Sequence, residues 1–441
     1  PALPGTARHH MAAKTLCLND KYALRRFGIQ LGHDTPRQML DGLDHPEAGF
    51  RTIHVAGTNG KGSVAAMLAS ILRRKGVRTG LYTSPHLVRF NERIVINGQP
   101  VSDKQVLQAY RRVRSAARPD REPTFFECTT AMALAEFARR NVEWAIVETG
   151  MGGRLDATNI ISPALSVITN ISLEHREYLG NTIGAIAYEK AGIIKPKTPV
   201  VTGVRQPTAI AQVEAAATAN RAPLYRLGKD FRVRRHPNGS FTYFGIDNTC
   251  KQMKTSLTGS HQAQNAALAL AVCEILGRLG LELTPEQIRA GLLQTSWPGR
   301  LEVVSTEPFV LLDGAHNLTA ARNLASHLKS KLSQRRITLV VGILDDKPYR
   351  DMLQALVPTS QKVVVTRPKI GRGLPAEILL PVVRKMNSNV TAVADVGRAL
   401  RQAIAETGPA DAVVVAGSLY VVGEAKEALA EMDLDIRPPI H

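Results

Sequence analysis

Cysteine is scarce in this sequence, with four in 441 residues. The four are Cys17, Cys128, Cys250 and Cys273. They lie far apart and form no C-x-x-C pair, which excludes a disulfide framework and a cysteine zinc site. No segment approaches the roughly 18 uninterrupted apolar residues of a membrane-spanning helix, and no charged-then-apolar leader opens the chain. We therefore expect a cytoplasmic protein without a membrane partner, and we expect residues 1–20 to form a flexible tail.

Aromatic residues are also few, at 5% of the chain, and acidic residues are outnumbered by basic ones. The formal net charge is +18, and residues 1–300 hold 39 Lys and Arg against 23 Asp and Glu, whereas residues 301–441 hold 17 against 15. A basic excess of this kind attracts polyanions, including nucleic acid. Because no aromatic-interleaved basic stretch or nucleic-acid motif accompanies the charge, we expect small anionic ligands and no nucleic acid.

The most informative segment is His54-Val-Ala-Gly-Thr-Asn-Gly-Lys-Gly-Ser63. A short β-branched run leads into it, and apolar residues with helical spacing follow it directly. Strand, glycine turn, lysine, hydroxyl and helix in this order form a cradle for phosphate, because the glycines expose backbone N–H groups and the helix N-terminus adds positive charge. Val55 stands where the usual nucleotide loop G-x-x-x-x-G-K-[ST] has its first glycine, so the segment is a tighter variant.

Apolar runs alternate with helical patterns along the chain, which predicts an α/β fold with mostly parallel sheets. Strands are predicted at 144–148, 165–169, 199–202, 309–313, 337–341, 362–366 and 412–416, and helices at 106–117, 129–140, 209–220 and 262–279. Short polar and aromatic alternation over 231–254 predicts a surface hairpin around Pro237-Asn-Gly239. A Pro/Gly break at Trp297-Pro-Gly-Arg300 predicts two domains, 1–298 and 299–441.

Polar residues follow several of the predicted strands. Glu148 ends one of them, where α/β sheets bind their ligands, and it is either a ligand of the Mg²⁺ that accompanies a triphosphate or a turn cap. His175 follows the next strand and is a second metal candidate, although a lone histidine is more often structural. Lys190 is either a solvated helix residue or a partly buried lysine open to carbamylation. Further polar residues at element ends have either ligand or capping roles: Asn265, Arg300, Asp313 and His316.

In combination these segments resemble the folylpolyglutamate synthase/dihydrofolate synthase family of the Mur ligase superfamily, over about residues 21–424. The matching stretches are GTNGKGS (57–63), TSPHLVRFNERI (83–94), TFFE (124–127), ETGMGGRLDATN (148–159), EH-x-x-x-LG (174–180), EKAGIIK (189–195), SHQ-x-x-N (260–265), WPGRLE (297–302), DGAHN (313–317) and GSLY (417–420). The resemblance implies an N-terminal P-loop ATPase domain with a mostly parallel central sheet and a smaller C-terminal Rossmann-like ligase domain.

The resemblance also implies roles for individual residues. ATP would be bound by Thr58, Asn59, Gly60, Lys61, Gly62, Ser63, Asn265, Arg300 and Asp313. Mg²⁺ would be held by Ser84, Glu148 and His175, with a second divalent ion or K⁺ allowed for, and Lys190 would match the family's carbamylated lysine. The catalytic set would be Lys61, Lys190, Asp313, His316 and Ser418, the last two near the incoming glutamate. The pterin or pteroate would contact Leu31, Thr124, Phe126 and Asp156. Glu174 departs from the family pattern, where Asp commonly precedes the histidine, and so does Pro348, where Asp is often repeated after Lys347.

The reaction implied by the resemblance is ADP-forming ligation of L-glutamate to dihydropteroate or folates through an acyl phosphate, carried out by a monomer. A bifunctional enzyme is favoured, and a folylpolyglutamate synthase alone remains open. Three other classes stay as alternatives. A ligase of peptidoglycan precursors is disfavoured by the SPHLVRFNERI and GSLY segments, and a non-catalytic nucleotide-binding module by the full set of metal and ATP residues. A nucleic-acid-dependent ATPase would be revealed by nucleic-acid stimulation of ATP turnover.

Overall fold

The computed structural model describes residues 30–118 and 121–432. The expected tail at residues 1–20 and Cys17 lie outside the described residues. The α/β class is confirmed, since two mostly parallel sheets are each packed with helices and a small antiparallel sheet accompanies the first. Across the two described stretches, no helix is long and apolar enough to cross a membrane.

The elements are numbered in chain order. The helices are α1 (Asp34–Asp41), α2 (Lys61–Arg74), α3 (Asp103–Ala116), α4 (Phe125–Arg139), α5 (Arg176–Leu179), α6 (Ile183–Ala191), α7 (Pro207–Ala219), α8 (Gln262–Arg278), α9 (Pro285–Leu293), α10 (Leu318–Lys331), α11 (Tyr349–Leu356), α12 (Ala376–Arg384), α13 (Val396–Ala405) and α14 (Leu419–Glu431). The strands are β1 (Arg51–Ala56), β2 (Thr79–Tyr82), β3 (Ile94–Ile96), β4 (Gln99–Pro100), β5 (Trp144–Glu148), β6 (Leu165–Ile168), β7 (Val200–Thr202), β8 (Leu224–Arg226), β9 (Arg232–Arg235), β10 (Phe241–Phe244), β11 (Thr249–Met253), β12 (Glu302–Thr306), β13 (Phe309–Leu312), β14 (Ile337–Val341), β15 (Lys362–Val365), β16 (Val390–Ala392) and β17 (Ala412–Ala416).

The first sheet has eight strands in the order β4-β3-β2-β5-β1-β6-β7-β8. All neighbours from β2 to β8 pair in parallel, and β3 and β4 add an antiparallel edge. In the middle, Val55 of β1 pairs with Glu148 of β5 and with Val167 of β6. Because parallel neighbours end at the same edge of a sheet, the polar segments that follow β1, β5 and β6 meet there.

The second sheet has six strands in the order β12-β13-β17-β14-β15-β16, parallel except for the β12–β13 pair. Leu339 and Val341 are buried in one cluster of apolar side chains, and Val340 is buried in another on the opposite face. Strands covered on both faces are apolar at nearly every position. This explains why the predicted strands at 337–341, 362–366 and 412–416 agree with the structure to within a residue.

Helix starts were predicted less well than strands. Helices α3 and α4 begin at Asp103 and Phe125, several residues before the predicted starts at 106 and 129. Each begins with a capping box, in which the hydroxyl of Ser102 or Thr124 accepts a backbone N–H of the first turn. Capping residues are polar or small, so a search for apolar periodicity does not detect them.

The predicted hairpin over 231–254 was incomplete. Strands β9 and β10 do form a hairpin around Pro237-Asn-Gly239, but β11 pairs with β10 to make a three-stranded antiparallel sheet. Phe241 and Tyr243 are buried in the core of the first sheet. The sequence Thr-Cys-Lys-Gln-Met of β11 is mostly exposed and contains no alternating apolar pattern, so nothing in it marks a strand.

Helix α2, which follows the phosphate loop, packs closely on α9 at Gly291. A Cβ at Gly291 would lie 2.5 Å from the Cα of Ile71 and 2.6 Å from its Cγ1. The hydroxyl of Ser70 donates to the carbonyl of Gly291 at 2.7 Å, so the two helices are also hydrogen-bonded where they touch. Since the clash would be with the backbone of α2, the helices must separate to admit any side chain at this position.

We predict that Gly291→Ala lowers the free energy of unfolding by about 1–3 kcal/mol, the usual effect of overpacking a buried contact. Urea denaturation followed by circular dichroism measures it. Gly277→Ala in α8 is the matched control, because a Cβ there meets nothing within 4 Å. That variant should be neutral or stabilising by up to about 1 kcal/mol. Equal effects of the two substitutions would contradict the close-packing account.

Candidate active site

The loop after β1 has the geometry of a phosphate cradle. Gly60 is the N-cap of α2 and has a φ of 82°, a left-handed conformation that strains other residues. A Cβ there would also lie 2.6 Å from Oδ1 of Asn265. The first N–H groups of a helix have no partner within the helix, so those of Lys61, Gly62 and Ser63 are available to an anion.

Lys61 lies at the edge of this cradle. Its Nζ donates to the carbonyl of Thr58 at 3.3 Å and lies 3.8 Å from Oε1 of Glu148. The lysine side chain is 15% exposed, whereas that of Glu148 is 5% exposed. A partly sheltered ammonium beside helix N–H groups is placed to neutralise phosphate charge.

The cradle is anchored to the loop that follows β6. The N–H groups of Thr58 and Asn59 donate to the backbone carbonyl and side-chain oxygen of Asn170, both at 2.9 Å. In return the hydroxyl of Thr169 and the amide of Asn170 donate to the carbonyl of Asn59, at 2.7 and 2.9 Å. Asn170 was not predicted as a site residue, because its role depends on the pairing of β1 with β6.

Helix α8 and the following linker enclose the other side of the cradle. The amide of Asn265 donates to Oε1 of Gln262 at 2.9 Å, and the amide of Gln262 lies 3.4 Å from the hydroxyl of Ser63. The ring of Trp297 covers Gly62, since a Cβ there would lie 2.2 Å from a ring carbon. The predicted ATP residues Asn265 and Ser63 are therefore both beside the loop.

Glu148 projects from the end of β5 toward Lys61 and the loop after β2. Its Oε2 accepts the backbone N–H of Ser84 at 3.2 Å. Burial raises the pKa of Glu148, against the opposing effects of Lys61, the Ser84 N–H and Arg300. A buried carboxylate close to one ammonium and to a serine has spare lone pairs, which suits a ligand of a hard cation.

Next to Glu148 in this edge of the sheet is a buried ion pair. Lys190 of α6 is 1% exposed and donates from Nζ to Oε1 of Glu174 at 2.7 Å and to the carbonyl of Gly57 at 2.8 Å. Burial would raise the pKa of Glu174, but Lys190 and Lys61 outweigh it and lower the pKa to about 2. Lys190 is thus not a solvated helix lysine, and it contacts the phosphate loop directly.

His175 follows this pair with a left-handed backbone, at φ 45°. Such a conformation costs about 1 kcal/mol or more outside glycine and is most often retained at functional sites. Burial lowers the pKa of His175 to about 4, although Glu174 opposes this. The imidazole is therefore neutral at neutral pH and has a lone pair for a cation.

Arg300 and Asp313 come from the linker and from the end of β13. Asp313 accepts the N–H groups of Leu301 and Ala315, each at 2.9 Å, and Arg300 donates to the carbonyl of Gly314 at 3.0 Å. Burial lowers the pKa of Arg300, while the charges of Asp313 and Glu148 oppose it. The linker before the second sheet thus contributes a half-buried cation whose charge interacts with Glu148 of the first sheet.

His316, Ser418 and Lys347 surround the same edge of the second sheet. Nδ1 of His316 lies 2.8 Å from the carbonyl of Gly314, and burial lowers the pKa of His316 to about 4. Ser418 is the N-cap of α14, accepts the N–H of Val421 at 3.1 Å and is 1% exposed. The charge of Lys347 acts on both His175 and His316, so the loop after β14 adjoins the site. Lys347 was not among the predicted site residues.

Two of the predicted substrate residues, Phe126 and Asp156, contact the glycine loop that follows Glu148, a cluster that we name the substrate pocket. The Phe126 ring stacks on Tyr82 with 6.1 Å between ring centroids, and Gly150 packs against its other atoms, since a Cβ there would lie 2.4 Å from Cζ. The Asp156 carboxylate is 4% exposed and accepts the N–H of Met151 at 2.8 Å. Burial raises the pKa of Asp156, and its hydrogen bonds oppose this.

The remaining two predicted residues lie close in sequence to residues of this cluster or to their contacts. Leu31 is 40% exposed, and the following Gly32 donates its N–H to the carbonyl of Leu155 at 3.1 Å. Thr124 caps α4 with its hydroxyl. Arg121, which the sequence did not single out, connects the two segments by donating to Gln30 and Thr35 on one side and to Glu127 on the other.

The donor set beside the cradle fits a divalent cation. Along residues 30–118 and 121–432, no three His, Cys, Asp or Glu side chains are grouped as a closed metal site. The Glu148 carboxylate, the Ser84 hydroxyl and the neutral imidazole of His175 would therefore be completed by phosphate oxygens and water. The carboxylate, hydroxyl, phosphate and water oxygens of this set are the ligands that Mg²⁺ prefers, and the imidazole would add one nitrogen donor.

Comparison with known proteins matches the two parts of the chain to two domain families. Residues 55–273 match the Mur ligase middle domain, and residues 299–419 match the Mur ligase glutamate ligase domain. The dihydrofolate synthase/folylpolyglutamate synthase of Bacillus subtilis is 37% identical over 92% of this chain and 96% of its own length.

Two solved structures have the same fold. E. coli FolC in complex with DHPP and ADP superposes with a TM-score of 0.87 at 31% identity, covering 95% of this chain and 97% of that one. The bifunctional folylpolyglutamate synthase/dihydrofolate synthase of Yersinia pestis, complexed with AMPPNP and Mn ion, gives 0.84 at 33% identity, covering 94% and 98%.

The Glu174–Lys190 pair generates a stability prediction. Glu174→Gln leaves the buried ammonium without its counter-charge and should lower the free energy of unfolding by about 3–5 kcal/mol. Because the pKa of Glu174 is lowered to about 2, the pair's contribution is complete above the unfolded value of about 4.3 and is lost as pH falls toward 2.

Urea denaturation at pH 7 measures this effect, with Glu431→Gln as the control. Glu431 pairs with Arg401 at 2.6 Å, but its side chain is 70% exposed. Removing an exposed pair should change stability by less than about 1 kcal/mol. A Glu174→Gln variant as stable as the control would show that the buried pair is not a stabilising contact.

Proposed function

We propose that this chain, which belongs to the folylpolyglutamate synthase/dihydrofolate synthase family of the Mur ligase superfamily, joins L-glutamate to a pteroate or folate carboxylate at the expense of ATP. It is an ATP-dependent ligase of folate metabolism, as its relatives are by name. The finer points, namely bifunctionality, the acyl-phosphate route and the roles of individual residues, are our proposal.

One observation above all supports this reaction: the phosphate cradle lies at the junction of the two sheets. The side-chain amide of Asn317, which follows β13, donates to Oδ1 of Asn59 in the cradle at 2.8 Å. The charges of Asp313 and Glu148 act on Arg300, and Oε1 of Glu148 lies 3.8 Å from Nζ of Lys61 in the cradle. Gly150, two residues after Glu148, packs on the ring of Phe126. A triphosphate in the cradle would therefore have its terminal phosphate between an organic substrate on one side and the second sheet on the other.

We assign the nucleotide to residues 58–63 with Asn265, Arg300 and Asp313, and the divalent cation to Ser84, Glu148 and His175. The nucleotide and metal in related structures, ADP with E. coli FolC and AMPPNP with Mn ion in the Yersinia pestis enzyme, support this assignment. When bound, the cation neutralises charge on the phosphate oxygens.

The proposed chemistry has two steps. A carboxylate oxygen of the pteroate or folate attacks the γ-phosphorus and ADP leaves, which gives an acyl phosphate. The α-amine of glutamate then attacks the acyl carbon, loses a proton and displaces inorganic phosphate as the amide forms. The carboxylate is a poor acyl donor because its leaving oxygen is strongly basic, and phosphorylation removes that obstacle. Positioning and charge neutralisation by Lys61, the loop N–H groups and Arg300 supply the protein's share of catalysis.

We also propose that Lys190 can be carbamylated, but only when a further cation is bound beside it. In this structure the ammonium of Lys190 is paired with Glu174 at 2.7 Å. A carbamate would place a second negative charge beside that carboxylate, and like charges in a buried site repel strongly. We propose that the carbamate forms only with a second divalent ion or K⁺ bound between the two groups.

We further propose that the chain divides into domains at residues 298 and 299, with His316 and Ser418 of the second domain near the incoming glutamate. The break lies in the linker between α9, which ends at Leu293, and β12, which begins at Glu302. The separate matches to the Mur ligase middle and glutamate ligase domains support it.

The pterin pocket is proposed to accept both dihydropteroate and reduced folates. An aromatic ring at its wall, Phe126, can stack on a pterin. The two synthase activities in the name of the Bacillus subtilis relative and the DHPP bound to E. coli FolC support a bifunctional enzyme.

Lys61→Ala is predicted to reduce kcat by about 10²–10³-fold or more, as expected for removal of a charge that stabilises a transferring phosphoryl group. ADP release with saturating ATP measures it. Lys75→Ala provides the control, because Lys75 lies exposed at the C-terminal end of the same helix. Near wild-type turnover by Lys61→Ala would refute the assignment of the cradle.

The proposed function is tested by ADP release with ATP, Mg²⁺ and L-glutamate, offering dihydropteroate or tetrahydrofolate in turn. We expect glutamate-dependent ADP release with each, and none when the divalent cation is chelated. Turnover with tetrahydrofolate but not with dihydropteroate would leave a folylpolyglutamate synthase alone. No ADP release with either substrate, or ATP turnover that nucleic acid stimulates instead, would overturn the proposal.

A further inference from the structure

A buried histidine outside the predicted site lies directly beneath it. His54 is in the central strand β1, is 0% exposed and pairs with Val147 of β5 and Ser166 of β6. Its strand neighbours Ile53 and Val55 fill the apolar core on the opposite face of the sheet. Central positions of a parallel sheet are normally apolar, and a buried polar ring is unfavourable unless it is hydrogen-bonded.

The hydrogen bonds of His54 define the state of its ring. Burial, with a contribution from Lys195, lowers the pKa of His54 to about 3, so the ring is neutral at neutral pH. Its Nε2 lies 2.8 Å from Oγ1 of Thr158, and that hydroxyl donates to Oδ1 of Asp156 at 2.5 Å. A hydroxyl has one proton to give, so Nε2 must carry the ring proton and donate it to Thr158.

The other ring nitrogen has no role of its own. Nδ1 of His54 is buried and has no hydrogen-bond partner. An apolar side chain would avoid leaving such an atom unsatisfied, which ordinarily destabilises a fold. Against this cost, the imidazole provides one directed hydrogen bond, from its Nε2–H to the hydroxyl of Thr158.

The Asp156 carboxylate, which ends the series of hydrogen bonds from His54 through Thr158, organises the glycine loop of the substrate pocket. It accepts the N–H groups of Met151 at 2.8 Å and Thr158 at 3.0 Å, and the N–H of Gly150 as well. The loop from Gly150 to Asp156 is therefore folded around one carboxylate. Since Gly150 packs on the ring of Phe126, the position of this carboxylate determines the shape of the pocket wall.

We propose that His54 is a positioning residue for substrate binding: its N–H orients the Thr158 hydroxyl, which holds Asp156 and the glycine loop in the geometry that accepts the pteridine end of the substrate. This inference rests on the proposed function, because that function assigns the ligand of the pocket. His54 acts from the strand that carries the phosphate cradle, so it also joins the substrate pocket to the nucleotide site through one rigid element.

The test compares Michaelis constants for the two substrates. His54→Leu removes the donor and should raise the KM for dihydropteroate by about 10-fold, the usual consequence of one lost directed hydrogen bond, while the KM for ATP changes by less than about 2-fold. His54→Gln, whose amide can present an N–H to Thr158, should bring the KM for dihydropteroate most of the way back to the wild-type value. Thr158→Val should reproduce the Leu variant, and the double variant should be no worse than the stronger single one, because the two residues act in series.

Thr52→Val is the matched control. Thr52 lies on the same strand and face as His54, is 2% exposed and has a hydroxyl without a partner, so both KM values should remain those of the wild type. Thermal unfolding of each variant confirms that it folds. Nitrogen-15 NMR of the wild-type ring provides a readout independent of activity and should show the proton on Nε2.

Four results would overturn the role of His54. They are equal changes in the two KM values, a Gln variant no better than Leu, fully additive effects in the double variant, and a ring proton on Nδ1. A wild-type protein inactive with every pteroate and folate would overturn the proposed function and this assignment together, whereas an active wild type with an unaffected His54→Leu variant would overturn only the assignment.

Discussion

The hydrogen bonds between the phosphate loop and the segment after β6 are the constraint on which the rest of the site depends. Thr58 and Asn59 donate to Asn170, while Thr169 and Asn170 donate back to the carbonyl of Asn59. These groups can meet only because β1 and β6 are adjacent, parallel and in one register. A slip of one residue would direct each side chain to the other face of the sheet. The cradle is therefore formed by sheet pairing before any ligand binds.

Charge is the second constraint, since Lys61, Glu148, Arg300 and Asp313 are brought together from both sheets and are largely removed from water. Burial raises the pKa of both carboxylates and lowers that of Arg300, and each group's neighbours oppose the shift. The formal charges of the two cations and two carboxylates cancel, so the proposed anionic nucleotide would need the counter-charge of the divalent cation that accompanies it. The basic excess of residues 1–300 acts at longer range, because substrates that are all anions are drawn toward a positive surface.

The sequence alone was sufficient for the α/β class and for the seven strands predicted as apolar runs, because strands buried on both faces are nearly continuous in apolar residues, as in Trp144–Glu148. It also pointed to residues at strand ends, since parallel strands bind ligands at their carboxyl edge. What it missed depends on contacts distant in the chain. Arg121 bonds to Gln30 and Thr35, and the charge of Lys347 acts on His175, yet none of these pairs has a local signature. The polar strand β11 was missed for the opposite reason, because its residues lack any apolar pattern.

Capping and ligand-binding were treated as competing roles for polar residues at element ends, and the structure shows how one side chain can have both. Asn317 caps α10 by accepting the N–H of Ala320 through Oδ1, while its amide donates to Asn59 in the cradle. Ser418 accepts the N–H of Val421, and Thr124 accepts that of Glu127, each through a hydroxyl oxygen. A hydroxyl that accepts in this way retains its proton for another acceptor. Capping thus holds the side-chain oxygen in one place, and the hydroxyl proton is still free to turn toward the substrate carboxylate or phosphate that we propose binds there.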